Sequence, residues 1–153
     1  MLLTVNSVMR ILACLVCILI YSNLFSQNNY ADSLNKVYPS SNDTSKVKIL
    51  LKLSAVSETN NSDLAFKLAD SGLTIAKRIS FLKGIGWCYS RMGSCLTTSG
   101  KYDNAIDYLH RSIKIFESIK DRKDLINALN TLAKPQCYSC YNTSEFNLLN
   151  NKF

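Results

Sequence analysis

Two stretches decide the fold: residues 65–83, AFKLADSGLTIAKRISFLK, and residues 105–123, AIDYLHRSIKIFESIKDRK. Laid over one another at an offset of forty, Ala65 meets Ala105, and Leu73, Ile75, Ala76, Ile79 and Lys83 meet Ile113, Ile115, Phe116, Ile119 and Lys123. The offset continues downstream, where Tyr89, Met92 and Gly93 meet Leu129, Leu132 and Ala133. What recurs is mostly the apolar or small character of a position, so the repeat is one of burial. A fixed period in the range of roughly 20–50 residues marks a solenoid, whose units cover one another's apolar faces.

Each period holds two helical patterns. The first predicted helix starts near Asp43 or Thr44, either of which can cap free backbone N–H groups, and puts Val47, Leu50, Leu51 and Ser54 on one stripe. The second follows Asn60-Asn61-Ser62 and carries Ala65, Leu68, Ala69, Gly72, Ala76 and Ile79 at helical spacing. The third spans about Lys83 to Thr98 and stops at Gly100, a natural left-handed terminator. The fourth runs from about Tyr102 to Ile119 with Ile106, Leu109, Ile113 and Phe116 inward, and the fifth begins near Asp121 with Leu125, Leu129 and Leu132. Short connections make successive helices antiparallel. Gly93, in mid-helix, is expected to face Ala105, two small residues that let the helices approach closely.

Tyr89, Met92, Gly93, Leu96, Ala105 and Leu109 stand at the spacing W-x2-L-G-x2-Y…A-x3-F. The chain thereby resembles the tetratricopeptide repeats, with Tyr89, Met92, Leu96 and Leu109 as apolar replacements and no Pro after the second helix. An earlier, weaker unit contains Leu50, Leu53, Ser54, Ala65 and Ala69, with an inter-helix turn one residue shorter. The resemblance covers Asp43 to about Ala133. It implies an all-α fold of antiparallel helix hairpins stacked as a short solenoid, and a protein-binding rather than catalytic role. The forty-residue period is similar to that of exported bacterial members, which often precede a membrane span and a kinase or DNA-binding module.

The ends read differently. Residues 1–26 have the form of a signal peptide: Arg10, then the apolar core Ile11–Ile20, then Ser26 near the exit. The core is half the length of about 20 residues that a membrane span needs, so cleavage and export to the periplasm or the extracellular space are expected, leaving no stable span in the mature chain. Residues 27–42 form a lead-in, 43–133 the repeats and 134–153 a non-repeat tail. Lys134-Pro135 is expected to break the fifth helix. Either the tail then caps the stack, or the chain is a truncated copy of a longer array; the lack of a clear amphipathic pattern in the tail favours truncation, which would leave Leu125, Leu129 and Leu132 largely uncovered and the C-terminal helix face prone to self-association.

Chemistry is sparse. His110, the only histidine, falls beside Arg111 and Lys114 on a polar face with no identifiable partner. Cys88 and Cys95 lie seven apart on one helix, about 10 Å, too far to bridge, and read as packing residues. Cys137-Tyr138-Ser139-Cys140 is a lone C-x2-C without the second pair a zinc site needs. Asn42-Asp43-Thr44 and Asn142-Thr143-Ser144 match the glycosylation pattern. No phosphate loop, nucleophile elbow or metalloprotease motif occurs in the sequence, so neither catalysis, cofactor nor metal is expected. The net charge of +7 comes from 18 basic and 11 acidic residues spread along the chain without a run of five bases, which argues against nucleic acid as partner.

In tetratricopeptide arrays the first helix of each pair lines a concave groove. The resemblance therefore points to Trp87, Ser90, Ser94 and Thr97, with Asn127, Asn130 and Lys134 from the fifth helix, as a candidate peptide-binding groove. Trp is enriched at binding hot spots, and amide side chains can hold an extended backbone. The expected function is an exported scaffold or adaptor for a protein or peptide partner. The alternative is the sensor region of a larger signalling protein, a histidine kinase or transcriptional regulator.

Overall fold

The structure, a computed structural model, describes the backbone of residues 9, 10, 13, 32, 33 and 35–150, with side chains as far as 138. The expected signal peptide lies outside these residues but for three positions, as do Cys14, Cys17 and the side chains of Cys140 and Asn142-Thr143-Ser144. The chain divides into two units, Met1–Pro39 and Ser40–Phe153. The described residues of the first are helical at 9, 10, 13, 32, 33 and 35–37, with a turn at 38–39. The second is a stack of helices α1 (Asp43–Ser57), α2 (Ser62–Arg78), α3 (Leu82–Thr98), α4 (Tyr102–Ser118) and α5 (Arg122–Asn150). No strand occurs among the described residues. The fold is all-α, as the periodicity requires.

The start of α1 is capped one residue earlier than expected, by Asn42, whose side chain accepts from the Ser45 N–H at 2.8 Å. Asn61 caps α2 in the same way through Leu64. Three helix ends are copies of one turn. The N–H groups of Phe81, Lys101 and Asp121 donate to the carbonyls of Ala76, Leu96 and Phe116 at 2.8, 2.9 and 2.9 Å. The intervening Ser80, Gly100 and Lys120 take positive φ, 54°, 73° and 56°. This is the paired-bond termination that needs a left-handed residue just past the helix, and only one of the three positions carries glycine.

The forty-residue period is written into burial. From 61 to 80 and from 101 to 120 the succession of buried, half-buried and exposed residues is the same at every position. At the heart of each hairpin is a contact between small groups. A Cβ on Gly93 would lie 2.6 Å from Leu109 Cγ and 3.1 Å from the Ala105 carbonyl oxygen, so the expected approach of α3 to α4 is there. In the preceding hairpin the Ser54 hydroxyl donates to the Ala65 carbonyl at 2.7 Å. Ser54 thus fills the place of Gly93, with a hydrogen bond where the later unit has only contact. A second close approach was not foreseen: a Cβ on Gly86 would lie 2.7 Å from the Phe116 ring, and Ser112 Oγ donates to the Gly86 carbonyl at 2.8 Å.

Cys88 and Cys95 are buried free thiols. Burial, aided by the Asp70 carboxylate, pushes the Cys88 thiol up to about 12, and burial with Glu58 raises Cys95. Both are packing groups, as their spacing suggested.

The fifth helix corrects the sequence reading. Pro135 does not break it; α5 continues to Asn150, 29 residues with Pro135 inside. A proline in a helix interior forfeits a hydrogen bond and costs about 3 kcal/mol. Here its ring is fully buried. Ala128, Leu132 and Pro135, at i, i+4 and i+7, form one buried stripe, and one turn on Tyr138 stacks on Tyr102 of α4 at 5.2 Å and 12°. The expectation for the leucines also changes. Leu132 is buried and Leu125 half-buried against α4, and only Leu129 stands 47% exposed.

The close approach at Gly93 is testable. Gly93→Leu forces a large side chain into Leu109 and the Ala105 backbone and should cost at least the roughly 1–3 kcal/mol of overpacking. Ser90→Leu, on the open groove side of α3, should leave the urea midpoint nearly unchanged. Equal midpoints for the two variants would mean that the α3–α4 contact does not sit at Gly93.

Candidate binding groove

Every helix packs on its sequence neighbours, and in addition α1 touches α3 and α3 touches α5. The second helices of the hairpins, α2 and α4, make no such backbone approach. The stack is therefore closed on the side of the first helices and splayed on the other. Side chains bridge the splayed side: Phe66 and Tyr108 meet edge to face at 5.8 Å, with Tyr89 tilted 6.1 Å from Tyr108. A cavity of about 450 Å³ opens there among Ser62, Phe66, Leu96, Asn104 and Arg111.

On the closed side a groove of about 320 Å³ collects residues from all three first helices. Leu51, Lys52 and Ala55 come from α1, Trp87, Ser90, Arg91 and Ser94 from α3, and Asp124, Asn127 and Thr131 from α5. Four of the seven expected residues are thus brought together: Trp87, Ser90, Ser94 and Asn127. Thr97 is half-buried and donates to the Gly93 carbonyl at 2.9 Å, and Asn130 and Lys134 are exposed away from the groove lining. The middle helix offers two flanks to the groove and an end helix only one. On α5 that flank carries Asp124, Asn127 and Thr131.

Sequence reasoning missed the charges that set this groove. Trp87 is half-buried, and its indole N–H donates to Asp124 Oδ2 at 2.8 Å. Phe81 packs edge-on to its ring at 5.7 Å, and the Lys83 ammonium stands 5.2 Å from the ring centre. Lys83 Nζ reaches Asp121 Oδ2 at 2.6 Å and Asp124 Oδ2 at 3.1 Å. Asp121 at the same time caps α5, accepting from the Asp124 N–H at 3.1 Å. At the other end Glu58 takes three donors: Arg91 Nη1 at 2.9 Å, Ser94 Oγ at 2.7 Å and Thr98 Oγ1 at 2.9 Å. One sequence signal pointed here, since an indole N–H in a groove needs an acceptor. Glu58, in the one turn that departs from the repeat, offered none.

Both groove carboxylates are thus engaged from within, while no partner is recorded among the described residues for the Ser90 hydroxyl or the Lys52 ammonium. The arrangement can bind: an aromatic wall, hydroxyl and amide groups, and the cations of Lys52 and Arg91, the latter tied to Glu58, along a channel open to solvent. His110 is exposed, Cys137 is an exposed free thiol, and no cluster of three metal-ligating side chains occurs among the described residues. No helix among the described residues is long and apolar enough to cross a membrane.

The Lys83 cluster sets a pH dependence. The Lys83 hydrogen bond, then the Asp124 N–H, holds Asp121 below its ordinary value. The Asp121 and Asp124 hydrogen bonds raise Lys83 above its own. A lowered carboxylate stabilises the fold above its unfolded value, about 3.9 for Asp, and that stabilisation is lost as pH falls through the lower folded value. The raised Lys83 loses its part only in strong alkali. Emission from Trp87, the sole tryptophan, should therefore stay flat across neutrality and change as pH falls below the ordinary carboxylate range, with Asp121→Asn weakening that acid limb. An acid limb unchanged in Asp121→Asn would remove the cluster as its cause.

Set against models of known protein families the chain matches none, and no curated protein matches it.

Proposed function

We infer that the chain is an exported, non-catalytic scaffold of tetratricopeptide type that holds an extended segment of a partner protein in the groove across α1, α3 and α5. The observation that carries this reading is the convergence of three first helices, one per hairpin position, on a single groove with Trp87 in its wall. An extended peptide suits such a channel. Its backbone amides find hydroxyl and amide partners in Ser90 and Asn127, and an apolar side chain can lie against Trp87, Leu51 and Ala55. Helices fixed by their neighbours keep these groups in place before the partner arrives, which limits the ordering cost of binding.

A displayed library of linear peptides selected on the protein tests the groove. Selected peptides should shift Trp87 emission. Ser90→Arg, which fills the channel without breaking a recorded bond, should weaken them by roughly tenfold or more while the fold is retained. Peptides that bind Ser90→Arg and the unaltered chain equally, without moving the emission, would place binding elsewhere.

Export belongs to the same reading and rests on the Ile11–Ile20 core. The mature protein should begin near Gln27 and be found outside the cytoplasm. Intact mass and N-terminal sequencing decide it, and a soluble cytoplasmic chain that retains Met1 would sink the assignment.

A further inference from the structure

The turns of the stack fall on two edges, and the edges differ in charge. One gathers the start of α1 with the turns α2–α3 and α4–α5. Ion pairs tie its parts together: Arg78 Nη2 meets Asp43 Oδ2 at 3.0 Å, and Lys83 meets Asp121 and Asp124 from one turn to the next. On this edge residues 43–46, 77–83 and 117–124 hold seven cations against four carboxylates. The other edge gathers the turns α1–α2 and α3–α4, joined by Ser99 Oγ and Ser62 Oγ at 2.9 Å. Its residues 57–63 and 97–103 hold three carboxylates and one lysine.

Three of the four carboxylates on the basic edge are engaged within it, Asp43 by Arg78 and Asp121 and Asp124 by Lys83. Lys120, Arg122 and Lys123 are exposed, and no ion pair is recorded for them among the described residues. Lys120 also holds a φ of 56°, a left-handed backbone that a side chain strains and glycine does not. The matching turn of the other edge has Gly100 in that place. The strained residue thus adds a cation at the tip of the turn. At the head of α3, in the same edge, Leu82 stands 53% exposed. A hairpin packed after α5 would lengthen this edge rather than cover it.

We propose that this edge docks on a membrane surface rich in acidic phospholipid, with Leu82 entering the interface among the headgroups. Lysine and arginine beside such a surface add attraction in proportion to their number, and an apolar side chain among them adds burial. A nucleic acid suits the edge less well. Single strands are held on exposed rings, and the ring of this edge, Phe81, packs edge-on against Trp87. Flexible point charges around one lone apolar side chain suit a fluid lipid surface better than a protein interface, which needs a cluster of buried anchors. Leu82, Lys120, Arg122 and Lys123 do not line the groove across α1, α3 and α5, so docking is independent of what the groove holds.

Co-sedimentation of the full chain with vesicles tests this. Phosphatidylcholine with about one third phosphatidylglycerol should bind it roughly a hundredfold more tightly than phosphatidylcholine alone, the preference that about three unmatched cations give. Added salt should collapse that preference by shortening the screening length. Lys120→Gln, Arg122→Gln and Lys123→Gln together should remove most of it, and Leu82→Ser should weaken binding by roughly fivefold to tenfold. Lys48→Gln, Lys67→Gln and Lys101→Gln together, three charges removed elsewhere, should change it far less. Circular dichroism checks that each variant stays helical. Equal binding to both kinds of vesicle, as insertion of the apolar segment 11–20 would give, overturns the proposal. So does an equal loss in the two triple variants, binding indifferent to Leu82→Ser, or an oligonucleotide held at this edge more tightly than the acidic vesicles.

Discussion

The stack depends on how closely two helix backbones can come within one hairpin. At Gly93 the limit is the Ala105 carbonyl and the Leu109 side chain, with no room for a Cβ. At Ser54 the same approach is bridged by a hydroxyl bonded to the Ala65 carbonyl. Glycine in mid-helix sacrifices about 1 kcal/mol of helix propensity. The close approach returns more, because it lets Leu109 and Phe116 become fully buried. Gly86 under Phe116 adds a second such point two turns earlier on the same helix. The spacing of these points fixes the crossing of α3 and α4, and the repeat carries the same crossing to its neighbours.

From that crossing follows the asymmetry of the stack. First helices touch one another and second helices do not, so each side solves a different packing problem. On the splayed side, large rings bridge the gap, as Phe66, Tyr108 and Tyr89 do. On the closed side the helices are near enough for direct polar ties. Glu58 fastens the end of α1 to α3 through Arg91, Ser94 and Thr98. Asp124 and Asp121 fasten α5 to α3 through Trp87 and Lys83. These ties sit at the two ends of the groove, so the groups that shape it also hold α1 and α5 at their distance from α3.

Much of this was legible in the sequence because burial repeats more faithfully than residue identity. Ala65 and Ala105, or Gly93 and its neighbours, keep a size and a face, and size and face are what helix packing selects. The helix bounds and the small contact between α3 and α4 could be read that way. Charged ties could not, since Glu58, Asp121 and Asp124 have no counterpart at an offset of forty. Thr97, Asn130 and Lys134 stand outside the groove lining; for the last two the reason is that an end helix turns one flank to the groove, whereas a repeat pattern treats every unit as a middle one. Pro135 was misread by weighing its local cost alone. Its place in the stripe Ala128, Leu132, Pro135 was visible, and the structure buries the ring there.

That last correction changes what the end of the array means. Had the chain broken at Pro135, a following segment could have turned back, as α4 turns back on α3, and filled the slot beside Ile126 and Leu129. A helix that runs on instead keeps its inner stripe on α4, where Leu132 and Pro135 are buried and Tyr138 stacks on Tyr102. The opposite flank stays open along the same length. One continuous helix thus satisfies α4 without satisfying itself. A solenoid needs a terminal unit with a polar outer face to remain alone in water, and the outer face of α5 carries Ile126, Leu129 and Ala133 in a row. The stack is closed toward α4, and residues 139–150, running on as helix, leave the flank of Ile126 and Leu129 uncovered.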